Sequence, residues 1–394
     1  MNNKKIFTTA LVTVILTTAF YLTPLGEKIY GTIISMSGEM TFSQKLGKIE
    51  SLIEDSYINE YDKKKAENAA LSYYAESLGD PYTVYIDEKN YSAMLESMGS
   101  DYQGIGVEVI IENNEIRITS VFENTPAKKA GIKVGDVIVA VDGETANGEN
   151  YQESINKIKG VYAEKGDNDV VVTVMHNGEK RDITLVRETV SVDTVYSRVI
   201  NSNTGYIRIT DFGPKTYKEF MYHLDSLTNQ KINGLVLDLR NNPGGMLGSV
   251  VNIADELLPE GTILTIKDKK GNETKYSSDE SYINIPLCVI VNEESASASE
   301  VLSGAIRDLK RGKLVGKKTF GKGLVQSLVE FPDKSAFKLT TAKYYTPSGE
   351  CIDKIGINPD VEVSLDESLL GKSVTELTYE EDIQLKTAIK VLYE

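Results

Sequence analysis

The chain has 394 residues, of which 41% are hydrophobic and 26% charged, a composition typical of a globular protein with room for two or three domains. Its 58 acidic and 43 basic residues give a net charge of −15. Nucleic-acid binding needs a basic patch, so this charge argues against a nucleic-acid partner. The two cysteines, Cys288 and Cys351, are distant from each other and indicate neither a disulfide framework nor a metal site, and no cofactor motif is evident.

The N-terminal segment, residues 1–38, has the features of a membrane anchor. Lys4 and Lys5 precede 21 uncharged residues, 6–26. At about 1.5 Å per residue, a helix of this length spans the ~30 Å hydrocarbon layer. With the lysines inside, we expect a single-pass anchor and a chain on the extracytoplasmic face of the cell membrane. One alternative is a cleaved signal peptide, with residues 35–37 as a poor cleavage site, which would make the protein secreted. A buried core helix is disfavoured, because such a helix seldom follows two lysines at the start of a chain.

Residues 39–101 are predicted to form a helical region. Apolar residues recur at helical spacing from Phe42 to Ile53, and a second helix is predicted from Lys63 to Leu78. The stretch "GDPYTVY" (79–85) then forms a turn. A C-terminal helix is predicted within residues 371–394. The apolar stripes of residues 42–56 and about 380–393 are candidate elements of a homodimer, because such stripes need a partner surface.

Residues 102–190 change to short strands. "GIGVEVII" and "EIRITSVF" alternate in polarity, and a short helix is predicted after Thr125, with Pro126 in its first turn and Gly131 at its end. A hairpin is predicted to turn at Asn177-Gly178, which suits a type I′ turn. The pattern predicts a small β-rich domain with two helices.

This β-rich segment resembles a PDZ domain. "GIGV" stands where that family has its carboxylate-binding loop, and "TPAKKAGIKVGDVIVAVDG" (125–143) is similar to its central segment. In such a loop successive N–H groups hold a C-terminal carboxylate, while the following strand edge pairs with the peptide. The resemblance implies that protein or peptide substrates with free C-termini bind here, at Gly104, Ile105, Gly106 and Val107. His176, at the hairpin, is expected to face solvent.

Residues 191–370 show an α/β pattern. A strand at 232–240 leads into the turn "NNPGG" (241–245) and a helix; a second strand, "IPLCVIV" (285–291), leads into "NEESASASE" (292–300) and another helix. Strands that alternate with helices predict a parallel sheet. Because active sites collect at the carboxyl ends of such strands, we expect the two turns to converge.

The serine segment contains the candidate nucleophile, Ser297. It lies just before a predicted helix, so the N–H of Ala298 belongs to the first helical turn and can point at a developing oxyanion. Gly245 is the candidate for a second donor. On this segment alone, a helix N-cap in a solvated turn explains the serines equally well.

A serine nucleophile needs a base, and neither histidine is well placed: His176 lies at the PDZ-like hairpin and His223 in a predicted helix. The known alternative is a neutral lysine amine. Lys322, in "TFGKGLVQ", is the candidate, and its pKa must then be lowered by burial. "GKKTFGKG" (316–323) also matches most of a phosphate-binding loop, but position 323 is Gly where Ser or Thr is required and a strand follows.

Together these residues resemble the C-terminal processing peptidases, or tail-specific proteases. Lys322 lies 25 residues after Ser297, and Gln326 follows four residues later. The similarity extends through "GDPYT", "DLRNNPGG", "YYTPSG" and "GINPDV". It implies a multidomain α/β protein with a crotonase-like serine protease core, in which Ser297 is the nucleophile, Lys322 the general base and Gln326 its orienting partner. Gly245 and Ala298 would supply the oxyanion hole.

The expected function is therefore a membrane-anchored serine endopeptidase that recognises substrate C-termini and forms an acyl-enzyme. Two other readings are weighed against it. A catalytically silent PDZ scaffold is disfavoured by the intact serine, lysine and glutamine. A crotonase-like acyl hydrolase would need a coenzyme A site, for which the sequence gives no sign.

Overall fold

A computed structural model describes residues 40–98, 101–161, 163, 166–201, 203–369 and 372–394. The chain divides into two compact units between Glu67 and Asn68. The predicted anchor, residues 1–38, lies outside the described residues. Within the described ranges, no helix is long and apolar enough to cross a membrane.

The helical region begins with two helices that the sequence predicted, α1 (Phe42–Ser56) and α2 (Lys63–Glu76). Thr41 caps α1 through a capping box with Gln44, and α1 buries none of its residues. The short strand β1 (Val84–Ile86) and helix α3 (Glu88–Met98) follow.

The PDZ-like segment forms a six-stranded antiparallel sheet, a separate two-stranded pair and the two predicted helices. Its elements are β2 (Asp101–Gly104), β3 (Val107–Glu112), β4 (Glu115–Val121), α4 (Pro126–Lys129), β5 (Val137–Val141), β6 (Glu144–Thr145), α5 (Tyr151–Lys159), β7 (Asp169–His176), β8 (Glu179–Val186) and β9 (Glu188–Ser191). The strand order is β3-β4-β5-β7-β8, with β6 beside β5, and β2 pairs separately with β9. Asn177 and Gly178 both have positive φ, as a type I′ hairpin turn requires.

The core begins with the α/β pattern that the sequence predicted. Its elements are β10 (Val195–Ile200), β11 (Thr204–Ile209), α6 (Thr216–Asn229), β12 (Gly234–Asp238), α7 (Leu247–Leu257), β13 (Gly261–Asp268), β14 (Glu273–Ser278), β15 (Leu287–Val291), α8 (Ala298–Asp308), β16 (Lys313–Gly316), β17 (Leu324–Glu330), β18 (Ala336–Tyr345), β19 (Val361–Glu362) and α9 (Ile383–Leu392). One sheet has the order β10-β11-β12-β15-β16-β19 and is parallel from β11 onwards.

A second, antiparallel sheet was not predicted. Its order is β1-β18-β13-β14, and β17 also pairs with β18. Strand β1 reaches this sheet from a position about 250 residues earlier in the chain, pairing Val84 with Lys338. The 79–83 turn leads into β1, which pairs with β18. Strand β18 also pairs with β17, the strand that follows the Lys322 loop.

The C-terminal helix α9 packs on the parallel sheet of its own chain. Its buried side chains Leu385, Ala388 and Leu392 belong to one hydrophobic cluster with residues of β11, β12, β15 and β16. A buried ion network anchors its first turn, because Arg240 lies 2.5 Å from Asp238 and 2.8 Å from Asp382. The apolar stripe of this helix therefore needs no second copy, so the reason for expecting a dimer element here does not hold.

Candidate active site

The turns after β12 and β15 meet, as the sequence predicted. Asn242 is fully buried and joins them: its carbonyl accepts hydrogen bonds from the Ala296 N–H at 3.0 Å and the Ser299 hydroxyl at 2.9 Å. Gly244 has φ +110°, and a Cβ added to it would lie 2.8 Å from the Cβ of Ser297. Only glycine permits this approach of the "NNPGG" turn to Ser297.

Of the three serines, Ser297 alone is accessible. Ser295 and Ser299 are fully buried, and the Ser295 hydroxyl donates to the Leu239 carbonyl at 2.8 Å. Both therefore have structural roles in a largely buried turn rather than a solvated one, whereas Ser297 is the helix N-cap, as the alternative interpretation held. Ser297 is partly exposed and has φ +54°, a strained value for a residue other than glycine. Such a turn between strand and helix is how many hydrolases present a nucleophilic hydroxyl.

The candidate oxyanion-hole donors are the N–H of Ala298, which follows Ser297, and the N–H of Gly245, which follows the Gly244 that packs against Ser297. Ala298 is the first residue of α8. Gly245 has φ +137° and forms an isolated parallel β-bridge with Phe212. No described residue accepts a hydrogen bond from either N–H. The N-terminal end of α8 adds a partial positive charge to the same place. These groups suit the stabilisation of a developing negative charge.

Lys322 lies in the tight loop between β16 and β17. The glycines on both sides of it pack against the 351–357 loop: the Lys354 N–H donates to the Gly321 carbonyl at 2.7 Å, and a Cβ on Gly323 would lie 2.5 Å from the Asp353 nitrogen. The side chain is half-buried. Burial lowers the pKa of Lys322, the positive charge of Lys338 lowers it further, and the negative charge of Glu300 opposes both effects.

A residue that the sequence analysis missed, Glu300, links the two candidate residues. Its carboxylate is fully buried. One oxygen accepts hydrogen bonds from the N–H groups of Ser297 at 3.0 Å and Lys322 at 2.8 Å. The other accepts from the Thr319 hydroxyl at 2.6 Å and the Gly321 N–H at 2.8 Å. The N–H groups of this loop thus bind a carboxylate of the same chain, which argues against a phosphate-binding role.

Glu300 had a recognisable signal in the sequence. Ser297 and Glu300 match the S-x-x-E pattern of a helix capping box, in which the third helical residue bonds the backbone of the cap. The same Glu300 carboxylate also accepts hydrogen bonds from the loop that contains Lys322. The local sequence pattern predicts its bond to Ser297, whereas its bonds to the loop are evident only in the folded structure.

Tyr344, in "YYTPSG", is a second residue that the sequence analysis missed. Its hydroxyl lies 3.1 Å from the Ser297 carbonyl oxygen and also contacts the Lys322 carbonyl oxygen. Burial raises the pKa of this phenol well above its ordinary value, so it stays protonated and donates. The backbones of Ser297 and Lys322 are therefore held together from two sides.

The side chains of Ser297, Lys322 and Gln326 are not joined in this structure. No hydrogen bond among the described residues connects Lys322 Nζ to Ser297 Oγ or to Gln326. Gln326 follows a β-bulge in β17, and its Nε2 is buried without a hydrogen-bond partner in the described chain. The backbones are thus in place, while the three functional groups are not yet aligned.

Neither histidine contacts Ser297. His176 does not simply face solvent, as expected, because its Nδ1 pairs with the buried carboxylate of Asp136. His223 Nδ1 lies 2.7 Å from the hydroxyl of Ser197. In the part of the chain that the structure describes, no group of three or more His, Cys, Asp or Glu side chains could hold a metal ion.

The "GIGV" loop has the backbone that carboxylate binding needs. Gly106 has φ +83°, and an added Cβ would lie 2.3 Å from the Cβ of Thr125. The carbonyls of Ile105 and Gly106 accept bonds from Ala127 and Phe122, whereas no described residue accepts from their N–H groups. Strand β3, which follows, is the outer strand of its sheet. A free strand edge beside free N–H groups fits the addition of a peptide terminus.

Comparison with known proteins agrees with this architecture. Residues 203–363 match peptidase family S41, and residues 103–186 match the PDZ domain. The carboxy-terminal processing protease CtpA of Bacillus subtilis (strain 168) is 34% identical over 365 residues, covering 92% of this chain and 77% of that protein. CtpB of the same organism is 34% identical over 326 residues, covering 81% and 67%.

A solved structure, the photosystem II D1 C-terminal processing protease, is also similar. It superimposes with a TM-score of 0.51 at 32% sequence identity and covers 82% of this chain and 87% of that one. The chain therefore belongs to the carboxy-terminal processing proteases of peptidase family S41, which are serine peptidases with a PDZ domain.

Proposed function

We propose that the protein is an endopeptidase in which Ser297 is the nucleophile, Lys322 the general base and Gln326 the partner that orients the lysine. The observation that carries this proposal is the shared carboxylate of Glu300. It holds the backbones of a partly exposed, strained serine and a half-buried lysine on one oxygen atom. The backbones of a serine nucleophile and of a base with a lowered pKa are thereby kept close together, and neither histidine contacts Ser297.

The proposed reaction follows from these positions. Ser297 Oγ attacks the scissile carbonyl carbon while its proton moves to the neutral Nζ of Lys322. The oxyanion forms beside the N–H groups of Gly245 and Ala298. Collapse of this intermediate releases the amine, which takes the proton from Lys322, and leaves an ester on Ser297. Water, deprotonated by the same lysine, then attacks the ester, and the lysine returns the proton to Ser297 Oγ as the acid product leaves.

The unaligned side chains support a resting state. In this proposal, substrate binding brings Lys322 and Gln326 into contact with Ser297, and the unpaired Nε2 of Gln326 gains a partner. A ligand can shift this equilibrium only by binding the aligned state more tightly. The direct test is the cleavage of casein by the purified protein and by Ser297→Ala. Equal turnover by the two proteins would identify the chain as a scaffold.

The pH dependence tests the base. Because the working form of Lys322 is the neutral amine, kcat/KM should rise with pH through the pKa of that group. Burial and Lys338 lower this pKa, so the rise should occur below the ordinary range of lysine. The measurement is a pH profile of peptide cleavage. A rise near the ordinary histidine pKa that disappears in His223→Ala would instead assign the base to His223.

We also propose that the "GIGV" loop binds the free C-terminus of the substrate. A terminal carboxylate would accept charge-assisted hydrogen bonds from this loop, each worth about 1.5–3 kcal/mol. A free-acid peptide should therefore be cleaved at least about tenfold faster than its C-terminal amide, since tenfold corresponds to ~1.4 kcal/mol. The comparison is of kcat/KM for the two peptides. Equal rates would leave an endopeptidase without tail recognition.

Gly106→Ala is the matched variant for that comparison. Its added Cβ would meet Thr125 and its positive φ disfavours alanine, so the loop should be distorted. We expect the difference between acid and amide to disappear in this variant, while the amide is still cleaved at its original rate. A preference that survives in Gly106→Ala would place tail binding elsewhere.

The location at the membrane is proposed from the sequence alone. Lys4, Lys5 and the uncharged residues 6–26 support a single-pass anchor with the protease on the extracytoplasmic side. Extraction of membranes with alkaline carbonate should leave the full-length protein in the pellet and release a protein that lacks residues 1–38.

Dimerisation through α1, whose Phe42 and Ile49 are exposed, stays a prediction that light scattering can test.

A further inference from the structure

The "GDPYT" turn reaches the candidate active site, although its sequence predicts only a turn. The Nζ of Lys322 lies over the ring of Tyr82, 4.6 Å from the ring centroid. An ammonium group at this distance from an aromatic face is attracted by the negative face of the ring. Tyr82 is only partly exposed, so solvent weakens this attraction less than at the protein surface.

The turn holds the tyrosine in a fixed position. The Asp80 carboxylate accepts hydrogen bonds from the Tyr82 N–H at 3.0 Å and from the Thr83 hydroxyl at 2.6 Å. The Thr83 hydroxyl in turn accepts from the Thr340 N–H of β18 at 3.1 Å. Strand β18 also contains Tyr344, whose hydroxyl contacts the backbones of Ser297 and Lys322. The ring and the lysine loop are therefore fixed to the same strand.

We propose that Tyr82 is the positioning residue for Lys322: its ring face restricts the position of Nζ and stabilises the ammonium that forms when Lys322 takes the serine proton. This inference rests on the proposed Ser297–Lys322 chemistry. It gives the "GDPYT" turn a function in proton transfer. The proton balance is unchanged, since the ring stabilises the charge without exchanging a proton.

The ring acts within a set of charges from several elements. Glu300 favours the charged form of Lys322, whereas burial and Lys338 disfavour it. Burial and neighbouring carboxylates raise the pKa of the Tyr82 phenol, so the group stays neutral and acts through its ring face. The charged and titratable groups that face the pair are Asp80, Glu300, Lys338, Tyr344, Asp353 and, through Asp80, Lys354.

Three substitutions of Tyr82 distinguish the effect of its ring face from the effects of its hydroxyl and of its side-chain volume. Tyr82→Phe keeps the face, whereas Tyr82→Leu and Tyr82→Met fill similar space without it. We expect kcat to fall about 5- to 30-fold in the Leu and Met variants, as loss of a partly desolvated cation–π contact predicts, and to stay within about twofold in Tyr82→Phe. Thermal melts identify any variant that loses its fold.

The discriminating readout is the pKa of Lys322 itself. Because the ring favours the ammonium form, its removal should lower this pKa and move the acid limb of the kcat/KM profile to lower pH in the Leu and Met variants only. A merely structural role for Tyr82 would reduce activity without moving the limb. NMR titration of lysine side chains labelled at Cε gives the same pKa without turnover, with the Lys322 signal assigned from its absence in Lys322→Arg.

The two readouts distinguish failure of this inference from failure of the proposed function. If the Lys322 signal titrates at the same pH in the wild type, Tyr82→Phe and a folded Tyr82→Leu or Tyr82→Met, the positioning role is wrong. If the signal shifts but the activity profile does not, the ring binds the lysine and Lys322 is not the base. A shift to higher pH in Tyr82→Leu would also overturn the inference.

Discussion

Lys322→Arg should lower kcat by roughly 10²–10⁴-fold, the usual contribution of a general base, while the protein remains folded. A guanidinium keeps its proton at any working pH and cannot accept the proton of Ser297. It can still stack on the Tyr82 ring, and the backbone bonds of residue 322 to Glu300 and Tyr344 need no particular side chain. The measurement pairs peptide cleavage with a thermal melt.

Gln326→Ala, in the strand β17 that follows the Lys322 loop, is the matched comparison. In the proposed mechanism Gln326 orients the lysine without transferring a proton, and its Nε2 has no hydrogen-bond partner among the described residues, so its removal should cost less activity than Lys322→Arg. A loss as large as that of Ser297→Ala would give Gln326 a greater role. Activity near that of the wild type in Lys322→Arg would remove Lys322 as the base.

The parallel sheet and the convergence of its two turns could be predicted because their signals are local. Strands β12 and β15 are continuous apolar runs, each followed at once by a glycine- or serine-rich turn and a helix. The connection rules of α/β proteins then place the carboxyl ends of both strands at one edge. Ser297 and the "NNPGG" turn were found from the sequence for this reason.

The antiparallel sheet and the contacts that depend on it could not be predicted in the same way. Strand β1 has only three residues and pairs with a strand about 250 residues later, and no local pattern encodes such a pairing. Tyr82 and Tyr344 both reach the lysine loop through this sheet. Single tyrosines in turn-like sequences carry no periodic signal, so their part in the site emerges only from the fold.

Glu300→Gln should impair stability and turnover together, because the amide cannot replace the carboxylate in either orientation. Each carboxylate oxygen accepts two hydrogen bonds, so the amide NH₂ would face either the N–H groups of Ser297 and Lys322 or the N–H of Gly321 and the hydroxyl of Thr319, of which only the hydroxyl can turn to accept. At least one N–H donor then lacks an acceptor, so the free energy of unfolding should fall by about 1–3 kcal/mol. Denaturant unfolding measures this loss.

Turnover should fall about 100-fold or more in the same variant, because displacing Ser297 relative to Lys322 by even an ångström removes the alignment on which proton transfer depends. Glu293→Gln is the control, since Glu293 is an exposed carboxylate in the same segment and neither property should change. Wild-type turnover in a folded Glu300→Gln protein would show that Glu300 serves only to cap the helix. A loss of turnover in protein that remains folded at the assay temperature would show that the buried Glu300 carboxylate holds Ser297 and Lys322 in the relative position that turnover requires.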